Sequence, residues 1–106
     1  MNENKPELQL DTLLIKKGAQ AIRALNHPLR QEIMHLVHDN KLIKVTDIYV
    51  RLRIEQSVAS AHLAILRRIS LLNTERVGKN IFYSVNYGKL QEMQEILKRM
   101  VASHMA

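Results

Sequence analysis

One stretch of alternating side chains, set between helical segments, limits the fold of this 106-residue chain more than any other feature. In LLNTERVGKNIFYSV, residues 71–85, apolar and polar residues alternate on either side of Val77-Gly78-Lys79-Asn80. Alternation with a period of two predicts β-strands, and a glycine between two such runs predicts a hairpin turn. Because the other long segments have helical periodicity, we expect the hairpin to be attached to a group of helices.

Helical spacing of apolar residues predicts four helices before the hairpin and one after it. They are expected over residues 7–25, 28–40, 46–53, from a turn at 54–56 to about 69, and over 87–105. The predicted fold is a single domain over residues 1–106, mainly α with a β-hairpin (α+β), in the order α-α-α-α-β-β-α. Two short helices joined by a tight turn and followed by a basic hairpin form a winged helix-turn-helix.

The fourth predicted helix, within IEQSVASAHLAILRR (residues 54–68), has one face of small side chains. Ala59, Leu63 and Leu66 repeat at helical spacing and are expected to pack inward. Before its basic end, the other side carries small residues: Ser57, Ser60, Ala61 and Ala64. A recognition helix must bring its backbone close to base edges in a major groove about 12 Å wide, and small side chains allow that approach.

This helix and the hairpin supply the predicted contacts with double-stranded DNA. Gln56 stands at the groove end of the helix, where its amide can bond to an adenine edge. The arginines at the other end and the hairpin cations are expected at phosphates or the adjacent minor groove. The full predicted set is Gln56, Ser57, Ser60, Ala61, His62, Arg67, Arg68, Arg76, Lys79 and Asn80. The alternative is a protein-interaction module whose small-residue face receives a helix of another protein.

Charge favours a polyanionic partner. The chain has a net charge of +6 and a pI of about 9.9. Acidic and basic residues balance over residues 1–39, so the whole excess falls in residues 40–106. There is no cysteine, which removes disulfides and thiolate metal sites. The N-terminus is polar and no segment could span a bilayer, so the cytoplasm is the expected location and no membrane partner is expected.

The sequence contains no catalytic motif that we can identify. Its three glycines, Gly18, Gly78 and Gly88, do not form a phosphate-binding loop, and there is no His-Glu-x-x-His. No nucleophile stands in a recognisable elbow. We therefore expect neither an enzyme nor a cofactor.

Apolar residues at heptad spacing on the last helix predict a homodimer. The predicted dimer seam, formed by the helices over residues 7–25 and 87–105, consists of Leu10, Leu14, Leu90, Met93, Leu97 and Met100. The last helix follows the hairpin, so few elements of its own subunit remain to cover it. Such a dimer sets two recognition helices about 34 Å apart, which matches one turn of a palindromic operator.

Three blocks of the sequence resemble the ArsR/SmtB-type winged-helix repressors: ALNHPLRQEIM, IEQSVASAHLAILRRISLL and RVGKNIFYSV. The likeness covers roughly residues 15–100, and the middle block is similar to the family pattern Leu-Ser-Gln-Ser-x-Val-Ser-x-His-Leu. The resemblance implies a homodimeric repressor that leaves its operator when a metal or another signal binds. Ser70 stands where many relatives have a helix-ending glycine, which implies strain of a few tenths to about 1 kcal/mol.

The two metal sites that this resemblance implies are both missing from the sequence. The first site uses a Cys-x-Cys, and the matching residues here are Lys44, Val45 and Thr46. The second site uses Asp and His residues, and the matching residues here are Tyr87, Lys89, Met100 and Ser103. His35 and His38 stand at i, i+3 on the second helix, close enough to bind one ion, although such a pair is also common on a helix surface. No metal site is predicted, and any inducer remains unidentified.

Overall fold

Side-chain caps determine where the first two helices begin. The computed structural model describes the backbone of residues 7–105 and the side chains of residues 7–102. Residues 1–6 and 106 of the predicted domain lie outside this range. Helix α1 covers Thr12–Leu25, because the Asp11 carboxylate accepts a hydrogen bond of 3.0 Å from the Leu14 N–H. The predicted start of this helix near Glu7 was therefore wrong.

Helix α2 covers Pro28–Asn40 and begins as predicted. His27 is its N-cap, and the ring Nδ1 of His27 accepts a hydrogen bond of 3.2 Å from the Leu29 N–H. Pro28 fits the first turn because that position has no intrahelical partner for an N–H group. The helix ends at Asn40, and its C-cap residue Lys41 has a φ of 64°, a positive value that is uncommon for residues other than glycine.

A two-residue strand, β1 (Ile43–Lys44), was missed by the sequence analysis. It pairs antiparallel with the second strand of the hairpin, Ile43 opposite Tyr83 and Lys44 opposite Phe82. Two residues are too few for alternation to be visible in a sequence. Helix α3, Val45–Leu52, follows this strand directly.

Helix α4 covers Gln56–Arg68 and ends in a Schellman motif. The N–H of Ser70 donates to the Arg67 carbonyl at 2.9 Å, and the N–H of Leu71 donates to the Leu66 carbonyl at 3.0 Å. Ser70 has a φ of 65°, which is the left-handed conformation that glycine adopts without steric cost. The strain inferred at this position thus has a structural basis.

The predicted hairpin consists of β2 (Leu72–Val77) and β3 (Asn80–Val85), which pair from Leu72 opposite Val85 to Val77 opposite Asn80. The sheet order is β1-β3-β2. Gly78 has a φ of 63° at the first position of the two-residue turn, where type II′ hairpins place glycine. The last helix, α5, covers Tyr87–Met105. Apart from the additional strand β1, the helices and the hairpin occur in the predicted order, and the predicted winged helix-turn-helix is confirmed.

The core lies between α2, α3, α4, the base of the sheet and the first turns of α5. Its buried members are Ile33, Met34, Val37, Ile43, Ile48, Leu63, Leu66, Leu71, Leu72, Val85 and Met93. This core anchors α4 from one side and fixes the base of the hairpin, so both elements are held at the surface. No helix within the described range is long and apolar enough to cross a membrane.

Candidate nucleic-acid interface

Helix α4 has one buried and one exposed face, as its sequence predicts. Ala59, Leu63 and Leu66 are each 0% exposed and pack into the core. The exposed residues of the opposite side are Gln56, Ser57, Ser60, Ala61, Ala64, Arg67 and Arg68. The small side chains therefore leave the helix backbone accessible to a ligand rather than to another part of the chain.

The N-terminal turn of α4 is accessible as well. Glu55 occupies the N-cap position, but its side chain makes no capping hydrogen bond. The first N–H groups of a helix have no intrahelical partner, and they carry the positive end of the helix dipole. Gln56, the first residue of the helix, is exposed beside them. This end of α4 can accept an anionic or hydrogen-bonding partner.

The hairpin, or wing (residues 72–85), carries the other predicted contacts, and Arg76, Lys79 and Asn80 are all exposed. The Nε of Arg76 donates to the Gly78 carbonyl at 3.3 Å, so this guanidinium is partly committed to the turn. Lys79 is the second turn residue, and the structure gives it no hydrogen bond among the described residues. The wing thus offers one restrained and one unrestrained cation.

His62 differs from the other predicted contact residues, because its side chain is half-buried and turned toward α2. The Nε of Arg30 donates a hydrogen bond of 3.1 Å to the Nδ1 of His62. Burial lowers the pKa of His62, and the positive charges of Arg30 and His27 lower that pKa further. Sequence reasoning missed Arg30, since no spacing rule connects two residues on different helices.

The predicted seam residues fall into two groups. Leu10, Leu14 and Met100 are 61%, 67% and 58% exposed. Leu90 and Leu97 are half-buried, and Leu90 packs against the core of its own chain. Met93, only 9% exposed, is itself a member of that core. Within this set, the exposed apolar residues lie just before and at the start of α1 and in the C-terminal part of α5.

His35 and His38 both line an open cleft of about 390 Å³ between α2 and the start of α5. Leu25, Met34, Val85 and Leu90 supply its apolar lining. Within the described side chains, no group of three His, Cys, Asp or Glu residues is arranged to hold a metal ion. The cleft is therefore mainly apolar, with two imidazoles among its lining groups.

Comparisons with known proteins agree with this architecture. The transcriptional activator HlyU of Vibrio cholerae is 33% identical over 84 residues, which cover 79% of this chain and 77% of HlyU. Its solved structure has a TM-score of 0.65 at 30% identity, covering 86% of this chain and 97% of that one. No protein-family model matches the chain.

Two further solved structures have the same fold. The transcriptional repressor PagR of Bacillus anthracis has a TM-score of 0.64 at 29% identity, covering 82% of this chain and 99% of PagR. An ArsR-like transcriptional regulator from Rhodococcus has a TM-score of 0.73 at 22% identity, covering 87% and 86% of the two chains, and supports the fold alone. The exposed face of α4, the wing and these relatives together identify the chain as a member of the ArsR/SmtB-type winged-helix transcriptional regulators.

Proposed function

We propose that two copies of this chain form a homodimer that binds a palindromic DNA operator and represses transcription. Each subunit lays the exposed face of α4 in the major groove, with Gln56 at the base edges and Arg67 and Arg68 at phosphates. Arg76 and Lys79 of the wing contact the neighbouring backbone. The remaining predicted contacts (Ser57, Ser60, Ala61 and Asn80) line the same helix face and the wing turn.

The observation that carries this proposal is the division of α4 into two faces. If its small residues served to pack against another element of the same chain, they would be buried, yet Ser57, Ser60 and Ala61 are exposed. The residues of the opposite face, Ala59, Leu63 and Leu66, are buried in the core, so the helix is held in place with its small side chains facing outward. A rigid helix with an accessible backbone suits the narrow approach that groove binding requires.

Exposed apolar side chains on α1 and α5 support the homodimer. Leu10 and Leu14 precede or begin α1, and Met100 lies near the end of α5. Exposed apolar side chains on a small domain favour burial against a partner, at roughly 25 cal/mol for each Å² of apolar surface removed from water. Leu97 lies on the same face of α5 as Met100. Most of the apolar surface that the proposed dimer would bury therefore comes from the exposed residues Leu10, Leu14 and Met100.

The direction of regulation is part of the proposal, since HlyU is named an activator and PagR a repressor. We favour repression because occupying an operator requires DNA binding alone, whereas activation also requires a contact with the transcription machinery. We extend the proposal to a cytoplasmic location, because the protein must share a compartment with the DNA that it regulates.

Selection of duplexes from a random pool tests this function. We expect an inverted repeat whose half-sites are separated by about one helical turn or a multiple of it. Affinity for this duplex should fall steeply with salt, because cations displaced from the phosphates are released. Transcription in vitro from a promoter carrying the repeat should decrease when the protein is added. No preferred duplex would favour the protein-interaction module instead.

A further inference from the structure

We propose that Arg30 is a positioning residue for DNA recognition, tying α4 to α1 and α2 through a neutral His62, and that this tie makes DNA affinity fall in acid. The inference rests on the proposed DNA binding by α4. Arg30 and His62 meet between α2 and α4, and not on the exposed face of α4.

One guanidinium joins three helices. From its place on α2, Arg30 donates through Nε to the Nδ1 of His62 on α4, at 3.1 Å. Through Nη1 it donates to the carbonyl of Ala24 on α1, at 3.0 Å. Ala24 is in the last turn of α1, where carbonyls lack intrahelical partners and a cation is favoured by the helix dipole. We call this arrangement the Arg30 bridge.

The bridge requires His62 to be neutral. A neutral imidazole has one nitrogen that accepts and one that donates, and here Nδ1 accepts from Arg30, so the proton belongs on Nε2. A protonated imidazole carries N–H on both nitrogens. Protonation of His62 would therefore remove the hydrogen bond, because two N–H donors would face each other, and it would place positive charge on both groups.

Among the described residues, the charges that act on His62 are the positive ones of Arg30 and His27, and no carboxylate forms an ion pair with Arg30. The ring of His27 lies 4.9 Å from that of His62, at an interplanar angle of 58°. The ion pairs among the described residues are both on α5, so neither involves Arg30. Charged side chains on the other elements packed against α4 are exposed, among them Arg23 on α1, Asp47 and Arg51 on α3, and Glu75 and Arg76 on β2.

The sign of the pH effect follows from the lowered pKa of His62. An unfolded histidine has a pKa of about 6.5, so above that pH the ring is neutral in both states and the bridge contributes fully. In the folded chain His62 stays neutral down to its lowered pKa, so the bridge and the DNA affinity that depends on it are lost as the pH falls below about 6.5 and through that lowered pKa. A histidine that touched phosphate would behave oppositely, gaining charge and DNA affinity in acid.

Affinity measurements at about pH 7.5 and about pH 5.5 test the bridge on the duplex recovered by selection. In His62→Asn the amide oxygen can accept from Arg30 near the position of Nδ1, but it does not titrate. Wild type should lose more affinity between the two pH values than His62→Asn does, by up to about tenfold, the limit set by an unshifted histidine pKa of about 6.5. His35→Asn removes an exposed histidine of α2 and should behave as wild type. Equal losses in wild type and His62→Asn would overturn the proposal.

An NMR titration of the histidine rings, on the full chain without DNA, decides the bridge independently. His62 should carry its proton on Nε2 and titrate below the usual histidine range, and Arg30→Gln should raise its midpoint by removing a positive charge. A proton on Nδ1 in wild type, or a midpoint that Arg30→Gln leaves unchanged, contradicts the bridge. If the Arg30→Gln variant does not fold, the wild-type tautomer still decides. Failure of wild type to bind any duplex would refute the proposed function and leave this measurement valid.

Discussion

The phenol oxygen of Tyr87 lies 2.7 Å from the Nδ1 of His38, so the first residue of α5 is hydrogen-bonded to the last part of α2. The two rings meet edge to face, with centroids 5.7 Å apart. Farther along α5, Leu90 and Met93 reach the core. These three contacts fix the direction in which α5 leaves the domain.

Tyr87→Phe should lower the free energy of unfolding by about 0.5–1 kcal/mol, because it removes an exposed hydrogen bond that water partly replaces. Urea unfolding measures the change. Tyr49→Phe is the matched control, since the hydroxyl of Tyr49 makes no hydrogen bond within the described part of the chain. Equal losses in the two variants would mean that the bond to His38 contributes nothing.

Met100→Glu and Leu14→Glu should each weaken the dimer at least tenfold, because each buries a charge without a partner in the proposed seam. Sedimentation equilibrium over a range of concentrations gives the dimer constants. Val50→Glu on α3 is the control, because Val50 is 65% exposed and Met100 58%. If all three variants dimerise like wild type, the outer residues of α1 and α5 are not the seam.

Ser70→Gly should raise the free energy of unfolding by a few tenths to about 1 kcal/mol, because glycine adopts a positive φ without steric cost. Ser60→Gly, in the middle of α4, should instead lower it by about 0.5–1 kcal/mol. Denaturant unfolding of both variants checks the opposite signs. A destabilised Ser70→Gly would show that the serine side chain stabilises this turn more than its backbone strain costs.

Gln56→Ala should weaken binding to the selected duplex by about 1–3 kcal/mol and leave binding to a scrambled duplex nearly unchanged. Lys79→Ala should weaken both alike and reduce the salt slope by about one unit for each half-site, since a flexible cation contacts the uniform row of phosphates. Binding isotherms at several salt concentrations separate the two effects. Equal weakening of both duplexes by Gln56→Ala would exclude base recognition at this residue.

Zinc, cadmium, lead, arsenite and copper should change affinity for the selected duplex by less than about threefold, because the sequence lacks the thiolates and the Asp and His set of metal-sensing relatives. In the structure the Nδ1 of His38 is already bonded to Tyr87. Titration of the protein–DNA complex with each ion is the measurement. A stoichiometric effect that His35→Asn abolishes would reveal a site at the α2 histidines.

Long elements with a clear period could be predicted, and short or long-range features could not. The buried face of α4 follows from the spacing of Ala59, Leu63 and Leu66. Strand β1 escaped detection because a two-residue strand has no period. Met93 stands in the heptad stripe of α5, and periodicity alone cannot decide whether the core that receives it belongs to its own chain or to a partner.

Electrostatic and hydrogen-bond partners were the least predictable features of the site. The start of helix α2 at Pro28 was predicted correctly, because helix starts depend on neighbouring residues. The contact between Arg30 and His62 depends on how α2 crosses α4, which local sequence does not encode. His62 therefore looked like another member of the DNA-facing set, although its Nδ1 faces inward.

Strand β1 has a mechanical consequence for recognition. It pairs Ile43 and Lys44 with strand β3 of the wing, α3 begins at the next residue, and only three residues separate α3 from α4. The gap between α4 and the wing base is thereby set within the subunit before any duplex arrives. A DNA duplex must fit this fixed spacing between α4 and the wing. A duplex with the correct bases but an unsuitable groove shape would therefore bind less tightly.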